Sequence, residues 1–414
     1  MIGEKGRKKA LIAIFITFGI STLATTILFP VLAQIFLAKQ DSFMMKGINE
    51  GYQGLMLGLF LASFPFAQFL IGPVMGDYSD KKGRRGIFLF SVLLESLGYV
   101  LCAISIHMGI LWLLFVGRIV TGLAAGNTSV CLASVVDISS SEKEKIKYFG
   151  ILSAVIGLMF ILGPLLGGQV SGLFASPVYA LAMPFWAGGV FALLNIFILL
   201  LFYHETNFDL CSHPFDVLKS FHNIQIALRT KELRNLYLIY FFFLFAWNMI
   251  YQLLPAFLVK DFQMTSVIVG VFGAVFGCIW ICGTLLTQLL IRVVHKMHGI
   301  VFCSLLGVSV FAIMAGFSKQ IMSFSIAIAL IVFLSGSVWP IFTAAISKSS
   351  EQRGQGKALA LSQSLQSFSM MCAPLLGGAF LNKNGMVPFL MTAISVLIAA
   401  VILIRSGKKP FTFL

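Results

Sequence analysis

Two apolar segments flank the charged stretch Gly76-Asp77-Tyr78-Ser79-Asp80-Lys81-Lys82-Gly83-Arg84-Arg85. Each segment is rich in Leu, Phe, Ile and Val for about 20 residues, the length that crosses about 30 Å of hydrocarbon as a helix. Cationic side chains at such a junction mark the cytoplasmic side of a membrane. The charged stretch therefore predicts a short cytoplasmic loop between two membrane-spanning helices.

The composition of the whole chain indicates a polytopic membrane protein. Of its 414 residues, 59% are hydrophobic and 11% are charged, whereas soluble domains carry about 25% charged residues. A net charge of +14 would raise the question of nucleic acid binding in a soluble protein. Here the basic residues are dispersed between apolar segments, so helix orientation explains them and no nucleic acid partner is expected.

Apolar runs that are broken by Gly, Pro or charge predict an all-α protein with twelve spans. Each span satisfies its own backbone hydrogen bonds as a helix in lipid. An even number of spans puts both termini on one side, and 23 of the 29 Lys and Arg residues then lie on the inner side. We therefore expect cytoplasmic termini. The predicted spans cover residues 10–38, 52–76, 87–106, 110–137, 148–173, 183–203, 234–257, 265–294, 299–317, 321–347, 358–380 and 386–405.

The longest connection divides the predicted spans into six and six. We expect an N-terminal bundle at 1–203, a linker at 204–233 and a C-terminal bundle at 234–414. Phe215, Ile224, Ile226 and Leu228 in the linker have an apolar spacing that suits a helix lying at the inner surface. Such a helix serves as a tether or as a regulatory element.

The two halves contain matching sequence patterns. Gly163-Pro164-Leu165-Leu166-Gly167-Gly168 in span 5 corresponds to Ala373-Pro374-Leu375-Leu376-Gly377-Gly378 in span 11, and Ser and Glu residues precede both spans. The two copies lie about 210 residues apart, which predicts a duplicated six-helix unit with parallel repeats about an axis normal to the membrane.

Three motifs of the first half resemble those of the major facilitator superfamily. Its usual motif between helices 2 and 3 is Gly-x-Leu-x-Asp-Arg-x-Gly-Arg-Arg, and Tyr78 replaces the Leu. Arg118, Gly122 and Gly126 match an Arg-xxx-Gly-xxx-Gly motif, and span 5 is similar to the motif of drug:proton antiporters. The residues of the charged stretch that match are Gly76, Asp80, Lys81, Gly83, Arg84 and Arg85.

The resemblance is strongest to the tetracycline-efflux and multidrug branch, in which Gln355-Gly356 ahead of span 11 also fits. It implies two pseudo-symmetric six-helix bundles and alternating access. One position departs from the branch, whose members often carry an acid nine residues before a proline in helix 1. Counting back from Pro30, that position is Ser21.

Gating is the role that we assign to the matching motif residues. Asp80 is expected to accept hydrogen bonds from the free amides of a neighbouring helix, and the charged stretch to hold the two halves together on the inner side. In the alternative, Lys81 and Lys82 only enforce topology. The predicted gating residues are Gly76, Asp80, Lys81, Gly83, Arg84, Arg85, Gly163, Pro164, Gly167 and Gly168.

Intramembrane charges are the candidates for proton coupling: Glu95, Arg118 and Asp137. Arg118 lies mid-span, which costs about 2.5 to 3.5 kcal/mol on insertion scales and requires compensation. Glu95 lies at a similar depth, so the two side chains could pair. In the alternative, Glu95 bonds to a Ser or Gln of span 2 and does not titrate.

The resemblance implies that spans 1, 4, 7 and 10 line the transport path. Their polar and aromatic residues predict a mostly neutral, aromatic pocket that suits an amphipathic organic molecule. The alternative for each of them is a helix-packing contact. The predicted substrate-binding residues are Ser21, Thr25, Asn127, Trp247, Asn248, Tyr251, Gln252 and Trp339.

These observations favour a proton-driven exporter of a small amphipathic compound, monomeric, in a bacterial inner membrane. Uptake of a metabolite or an iron chelate, with Arg118 attracting an anionic group, is the second hypothesis, and a sensor or structural protein is the third. No phosphate-binding Gly-Lys-Ser/Thr loop precedes a helix, and no constellation of catalytic side chains is present. The seven cysteines have no metal-ligand spacing. We therefore expect no enzyme activity, no cofactor and no metal site, with the proton gradient as the energy source.

Overall fold

The computed structural model describes residues 4–38, 43–207, 218–229, 234–293, 297–349 and 355–406, and these residues form helices without any strand. Twelve spans are long and apolar enough to cross a membrane, which confirms the predicted all-α membrane protein. The helices are α1 (Glu4–Thr26), α2 (Phe29–Leu37), α3 (Glu50–Lys82), α4 (Arg84–Met108), α5 (Leu111–Ala124), α6 (Asn127–Ile138), α7 (Glu142–Gly172), α8 (Pro177–Phe202), α9 (Lys219–Arg229), α10 (Arg234–Lys260), α11 (Ser266–Val293), α12 (Met297–Phe317), α13 (Ile321–Ser349), α14 (Gln355–Leu381) and α15 (Val387–Ser406).

The first and fourth spans each consist of two helices. Span 1 is interrupted at Ile27 and Leu28, where Pro30 opens the first turn of α2 because its missing N–H needs no partner there. Span 4 is interrupted at Ala125 and Gly126, between α5 and α6. Polar residues that we predicted in the transport path lie on or next to these interruptions, including Thr25 and Asn127.

The helical contacts divide the chain into two units. Unit 1 comprises Met1–Lys46, Ser63–Lys219 and Gln263–Ala274, and unit 2 comprises Gly47–Ala62, Ser220–Phe262 and Val275–Leu414. The start of α3 therefore belongs to unit 2 and the start of α11 to unit 1. The domain limits at 203 and 234 stay a prediction.

The two units use the same set of helix pairs. In unit 1, α4 packs against α5 and α8, and α1 packs against α7 and α8. In unit 2, α12 packs against α13 and α15, and α10 packs against α14 and α15. These pairs correspond one to one when span 7 is aligned with span 1, as the predicted duplication requires.

Glycine contacts repeat in the same way. In unit 1, a Cβ built on Gly270 would lie 2.4 Å from the Pro164 carbonyl oxygen. In unit 2, a Cβ built on Gly58 would lie 2.5 Å from the Pro374 carbonyl oxygen. Only glycine fits these close backbone approaches. The first part of α11 therefore packs closely against α7, and the first part of α3 packs closely against α14.

The same packing accounts for the motif glycines of α7. A Cβ on Gly163 would overlap Thr26, and one on Gly167 would lie 1.8 Å from the Ile27 carbonyl oxygen. A Cβ on Gly168 would lie 2.7 Å from the Ser266 carbonyl oxygen. The glycines that we predicted for gating are therefore close-packing positions within unit 1, and their gating role stays a prediction.

The charged stretch is not the loop that its charges predicted. Helix α3 continues through Lys82 and α4 begins at Arg84, so only Gly83 lies outside a helix. Its φ of 91° falls in the left-handed region that favours glycine. The charged side chains therefore project from the ends of two helices, and Asp80 of α3 pairs with Arg84 of α4 across the break at Gly83.

Phe215, part of the predicted linker helix, lies outside the residues that the structure describes, as do the Ser350 and Glu351 that precede span 11. The linker is described as helix over Lys219–Arg229. The Gln355 side chain, at the start of α14, is also outside the description.

Candidate functional site

Arg84 is the centre of a charged cluster at one end of unit 1. Its side chain is 6% exposed and makes ion pairs with Asp80 at 2.5 Å and with Asp137 at 2.9 Å. It also donates to the Ser79 hydroxyl at 2.6 Å. One cation between two carboxylates compensates charges that would be costly to bury alone.

Glu205 completes this cluster and was not predicted from the sequence. Its carboxylate accepts the backbone N–H of Arg84 at 2.8 Å and of Arg85 at 3.0 Å, at the first turn of α4. It also lies against Gly83, where a Cβ would come within 2.6 Å of its Oε2. A glycine at 83 therefore lets the carboxylate reach the positive end of the α4 dipole.

We expected Asp80 to accept hydrogen bonds from the free N–H groups of a neighbouring helix. At the N-terminus of α4, Glu205 is the residue that accepts them. Asp80 pairs instead with Arg84, and its backbone carbonyl accepts from Asn207 at 3.2 Å. Arg85 donates to the carbonyl of Leu200 at 3.2 Å. These contacts all lie within unit 1, and a role of the stretch in joining the two halves stays a prediction.

The remaining motif residues make fewer contacts. Lys82 is exposed and Lys81 is half-buried, and Gly76 is not crowded, because a Cβ there would lie 3.9 Å from its nearest neighbour, Ser129. Asp77, which is not one of the matching motif residues, makes an ion pair with Lys219 at the start of α9. The motif alone did not indicate this partner, which is 142 residues away in sequence.

Glu205→Gln is expected to lower the stability of the protein at neutral pH by about 0.5 to 1 kcal/mol, the value of a charge at a helix terminus. Partial burial acts to raise the pKa of the Glu205 carboxyl, but the N–H groups of Asn207, Arg84, Arg85 and Thr206 outweigh it and hold that pKa below its usual range. A depressed pKa contributes stability above about pH 4.3, the unfolded value, which is lost as the pH falls through the folded value.

Thermal unfolding of the purified protein between pH 8 and pH 3 measures this difference. The gap between wild type and Glu205→Gln should be constant at neutral pH and close in the acidic range. A gap that is absent at pH 7, or that persists unchanged at pH 3, would contradict the capping role.

Glu95 lies in a second polar cluster of unit 1, on α4. Its carboxyl group is buried, at 5% exposure, and accepts a hydrogen bond from the Ser21 hydroxyl at 2.8 Å. Asn127 in turn donates to the Ser21 oxygen at 3.1 Å. The expected binding residues of spans 1 and 4 are thus gathered around a carboxyl group.

Thr25 extends this cluster toward Tyr99. The Thr25 hydroxyl donates to the Ser21 carbonyl at 3.0 Å and lies 3.2 Å from the Tyr99 hydroxyl. Ser21 thus contacts Glu95, Asn127 and Thr25, and Thr25 in turn contacts Tyr99. Ser21 occupies the position at which the branch named above often has an acidic residue. In this chain Ser21 instead donates a hydrogen bond to an acidic residue of another span, Glu95.

Arg118 does not compensate Glu95 in the structure. The Glu95 carboxyl has no ion pair among the described residues, whereas the Arg118 guanidinium stacks over the Phe64 ring at 4.9 Å from its centroid. The partner of Glu95 is also a serine of span 1 rather than a residue of span 2. Asp137, the third candidate, belongs to the Arg84 cluster and bonds to Thr206 as well.

Three tryptophans form the tryptophan cluster of unit 2: Trp247 on α10, Trp280 on α11 and Trp339 on α13. The Trp247 and Trp280 rings lie 4.2 Å apart, and the Trp280 and Trp339 rings 5.8 Å apart. Tyr251 stacks on Trp247 at 5.6 Å with an angle of 19° between the rings. Trp280 was missed because span 8 was not among the spans expected to line the path.

The two amides next to this cluster hold helices together. Asn248 is buried and donates to the Leu244 carbonyl at 2.9 Å and to the Ser369 hydroxyl at 3.3 Å. Gln252 donates to the Met370 carbonyl at 2.9 Å. Their NH₂ groups therefore tie α10 to α14, which leaves the aromatic faces as the stronger candidates for contact with an organic molecule.

Twelve spans in two units that use the same helix pairs, with polar clusters buried inside the spans, are typical of a membrane transporter. The model of the Major Facilitator Superfamily matches residues 10–302 and 295–411. The chain belongs to this family and is a multi-pass integral membrane protein.

Named relatives are resistance proteins. The chain is 30% identical over 198 residues to the tetracycline resistance protein of class H from Pasteurella multocida, a match that covers 48% of this chain and 45% of the relative. It therefore spans less than half the length of that protein. It is 26% identical over 371 residues to the quinolone resistance protein NorA of Staphylococcus aureus, covering 87% of this chain and 89% of NorA.

Among solved structures, the chain resembles the human organic anion transporter MFSD10 (TETRAN) with a TM-score of 0.70 and 20% identity. The match covers 96% of this chain and 99% of MFSD10. At this identity the likeness supports the fold alone.

Proposed function

We propose that this chain is a secondary active exporter of small amphipathic organic compounds, driven by the entry of protons. The observation that carries the proposal is the buried Glu95 carboxyl, which is bonded to Ser21 and has no cationic partner among the described residues. A carboxyl group inside a membrane span is a candidate proton carrier. Each proton that enters contributes about 2.3 kcal/mol per 100 mV of membrane potential.

The cargo class is supported by the tryptophan cluster. Its stacked and tilted rings offer flat apolar faces and, over those faces, attraction for a cation. Because the nearby amides of Asn248 and Gln252 are engaged with α14, aromatic contact is the main recognition that this part of unit 2 offers. The relatives, which are named for resistance to tetracycline and quinolone, support an aromatic cargo.

The orientation of the transporter and the membrane that contains it are proposed from the distribution of Lys and Arg. The excess of Lys and Arg on the expected inner segments supports cytoplasmic termini in a bacterial inner membrane. We propose a monomer that requires no cofactor, with the bilayer and a small molecule as its partners.

Transport in proteoliposomes tests the proposal. Purified protein is reconstituted, a pH gradient of two units is imposed, and the movement of ethidium, tetracycline and a quinolone is followed in both directions of the gradient. The proposal expects accumulation of at least one compound on the acidic side. Accumulation that is indifferent to the gradient would contradict proton coupling.

The second candidate is uptake of an anionic metabolite, favoured by the buried cation Arg118, which does not pair with Glu95. Expression in a drug-sensitive strain separates the two functions. Export predicts added resistance to some compounds, and uptake predicts none.

Trp280→Ala is expected to weaken the apparent affinity for ethidium by about 2- to 12-fold, because one aromatic contact contributes about 0.5 to 1.5 kcal/mol. The matched control is Trp112→Ala, since the Trp112 side chain is 67% exposed and belongs to unit 1. Concentration dependence of transport measures both variants. Equal effects of the two substitutions would remove the tryptophan cluster from substrate binding.

A further inference from the structure

Helix α9 has its polar and apolar surfaces arranged oppositely to a helix of a soluble domain. The face that is buried in the protein is polar, with Ser220 at 1% exposure and Asn223 donating to the Ser364 hydroxyl at 3.1 Å. Large apolar side chains are exposed instead, including Phe221 at 46% and Leu228 at 42%. A solvent that accepts apolar side chains must therefore lie outside this helix.

The exposed surface of α9 carries both apolar and polar side chains. At about 100° per residue, Phe221 and Leu228 fall within about 20° of each other at one edge of this surface. His222 and Arg229, which are exposed, lie about 100° further round, and Ile226, which is 52% exposed, forms the other edge. Apolar side chains thus flank a polar and cationic strip, a mixed surface that suits a helix at a membrane surface.

The position of α9 agrees with this pattern. Lys219, its first residue, pairs with Asp77, which lies five residues before the end of α3, or about 7.5 Å along the helix axis. Helix α9 also ends at Arg229, five residues before the α10 span begins at Arg234. Both of its ends are therefore near the end of a span, where the protein surface meets lipid headgroups.

Charge selects the kind of lipid. Arg229 at the end of α9 and Arg234 at the start of α10 are both exposed, and each cation near a membrane surface gains about 1 kcal/mol from anionic lipid. We propose that α9 is a lipid-binding surface, with Phe221 and Leu228 among the acyl chains and Arg229 on the headgroup phosphates of anionic phospholipids.

Fluorescence quenching in nanodiscs tests the proposal on the full-length chain. A cysteine-free background with wild-type thermal stability carries Phe221→Cys or, as the matched control, His222→Cys, each labelled with an environment-sensitive fluorophore. Spin labels on the acyl chains of the lipids act as quenchers. At least a twofold stronger quenching at position 221 than at position 222 is expected, since Phe221 lies at an apolar edge of the exposed surface and His222 in its polar strip.

The lipid preference is measured in the same samples. Replacing phosphatidylcholine by a mixture with 30% phosphatidylglycerol should strengthen quenching at position 221, and Arg229→Gln should reduce that gain. Equal quenching at positions 221 and 222 would overturn the lipid-binding surface, and quenching that is insensitive to phosphatidylglycerol would overturn its preference for anionic lipid. Neither outcome depends on what the protein transports.

Discussion

Glu95→Gln is expected to reduce gradient-driven accumulation by at least about tenfold while the protein remains folded. Glutamine has the shape of glutamate, and its amide oxygen can still accept the Ser21 hydrogen bond. It cannot bind and release a proton. The variant should therefore lose coupling and keep exchange of substrate across the membrane without a gradient.

The matched control for this variant is Glu50→Gln, which removes a carboxylate at the start of α3, outside the polar cluster. Accumulation in proteoliposomes measures both variants, and substrate counterflow confirms that each is active. Wild-type accumulation by Glu95→Gln would exclude Glu95 as the proton carrier.

The geometry also predicts a rescue. Because the Ser21 hydroxyl lies 2.8 Å from the Glu95 carboxyl oxygen, an aspartate at position 21 would place a carboxyl group in the same polar cluster. Ser21→Asp in the Glu95→Gln background is expected to restore part of the gradient-driven accumulation. Failure of the rescue in a stable double variant would mean that the position of the carboxyl on α4 itself is required.

Arg84→Ala is expected to destabilise unit 1 by about 3 kcal/mol, the lower end of the cost of leaving buried charges without their partner. The substitution leaves Asp137 and Asp80 beside each other without a cation. We use the lower end because Asp80 is partly exposed and water screens its charge.

Two further variants identify the cause of that loss. Arg84→Lys keeps the charge but loses the forked geometry, so it should recover only part of the stability. Arg85→Ala removes a neighbouring cation that bonds to a carbonyl, and it should cost less than about 1 kcal/mol. Thermal unfolding of the purified proteins measures all three, and an Arg84→Ala variant as stable as Arg85→Ala would contradict the cluster.

The spans of this protein could be predicted because each depends only on a local run of apolar residues. The breaks within spans 1 and 4 were missed, since both interruptions are apolar and short. The charged stretch was taken for a loop because charge and glycine are typical of loops. In the structure the helices continue through these charges, and only Gly83 lies between them.

The contacts of the two polar clusters could not be predicted, because they join residues that are far apart in sequence. Glu205 reaches α4 across 121 residues, and Ser21 reaches Glu95 across 74. Similar depth suggested Arg118 as the partner of Glu95, but the rotation of each helix about its own axis decides which side chains meet. Trp280 was missed because span 8 was not among the spans expected to line the path, and its contact with Trp247 joins two different spans.

The most direct test of the central claim, that Glu95 exchanges the coupled proton, is a proton flux that the substrate drives. Proteoliposomes with a pH-sensitive dye inside receive ethidium outside, in the absence of a pH gradient and with the membrane potential clamped. For wild type, the interior should become alkaline as protons leave in exchange for the substrate, and Glu95→Gln should give no such change. An equal alkaline shift in the two proteins would contradict the account.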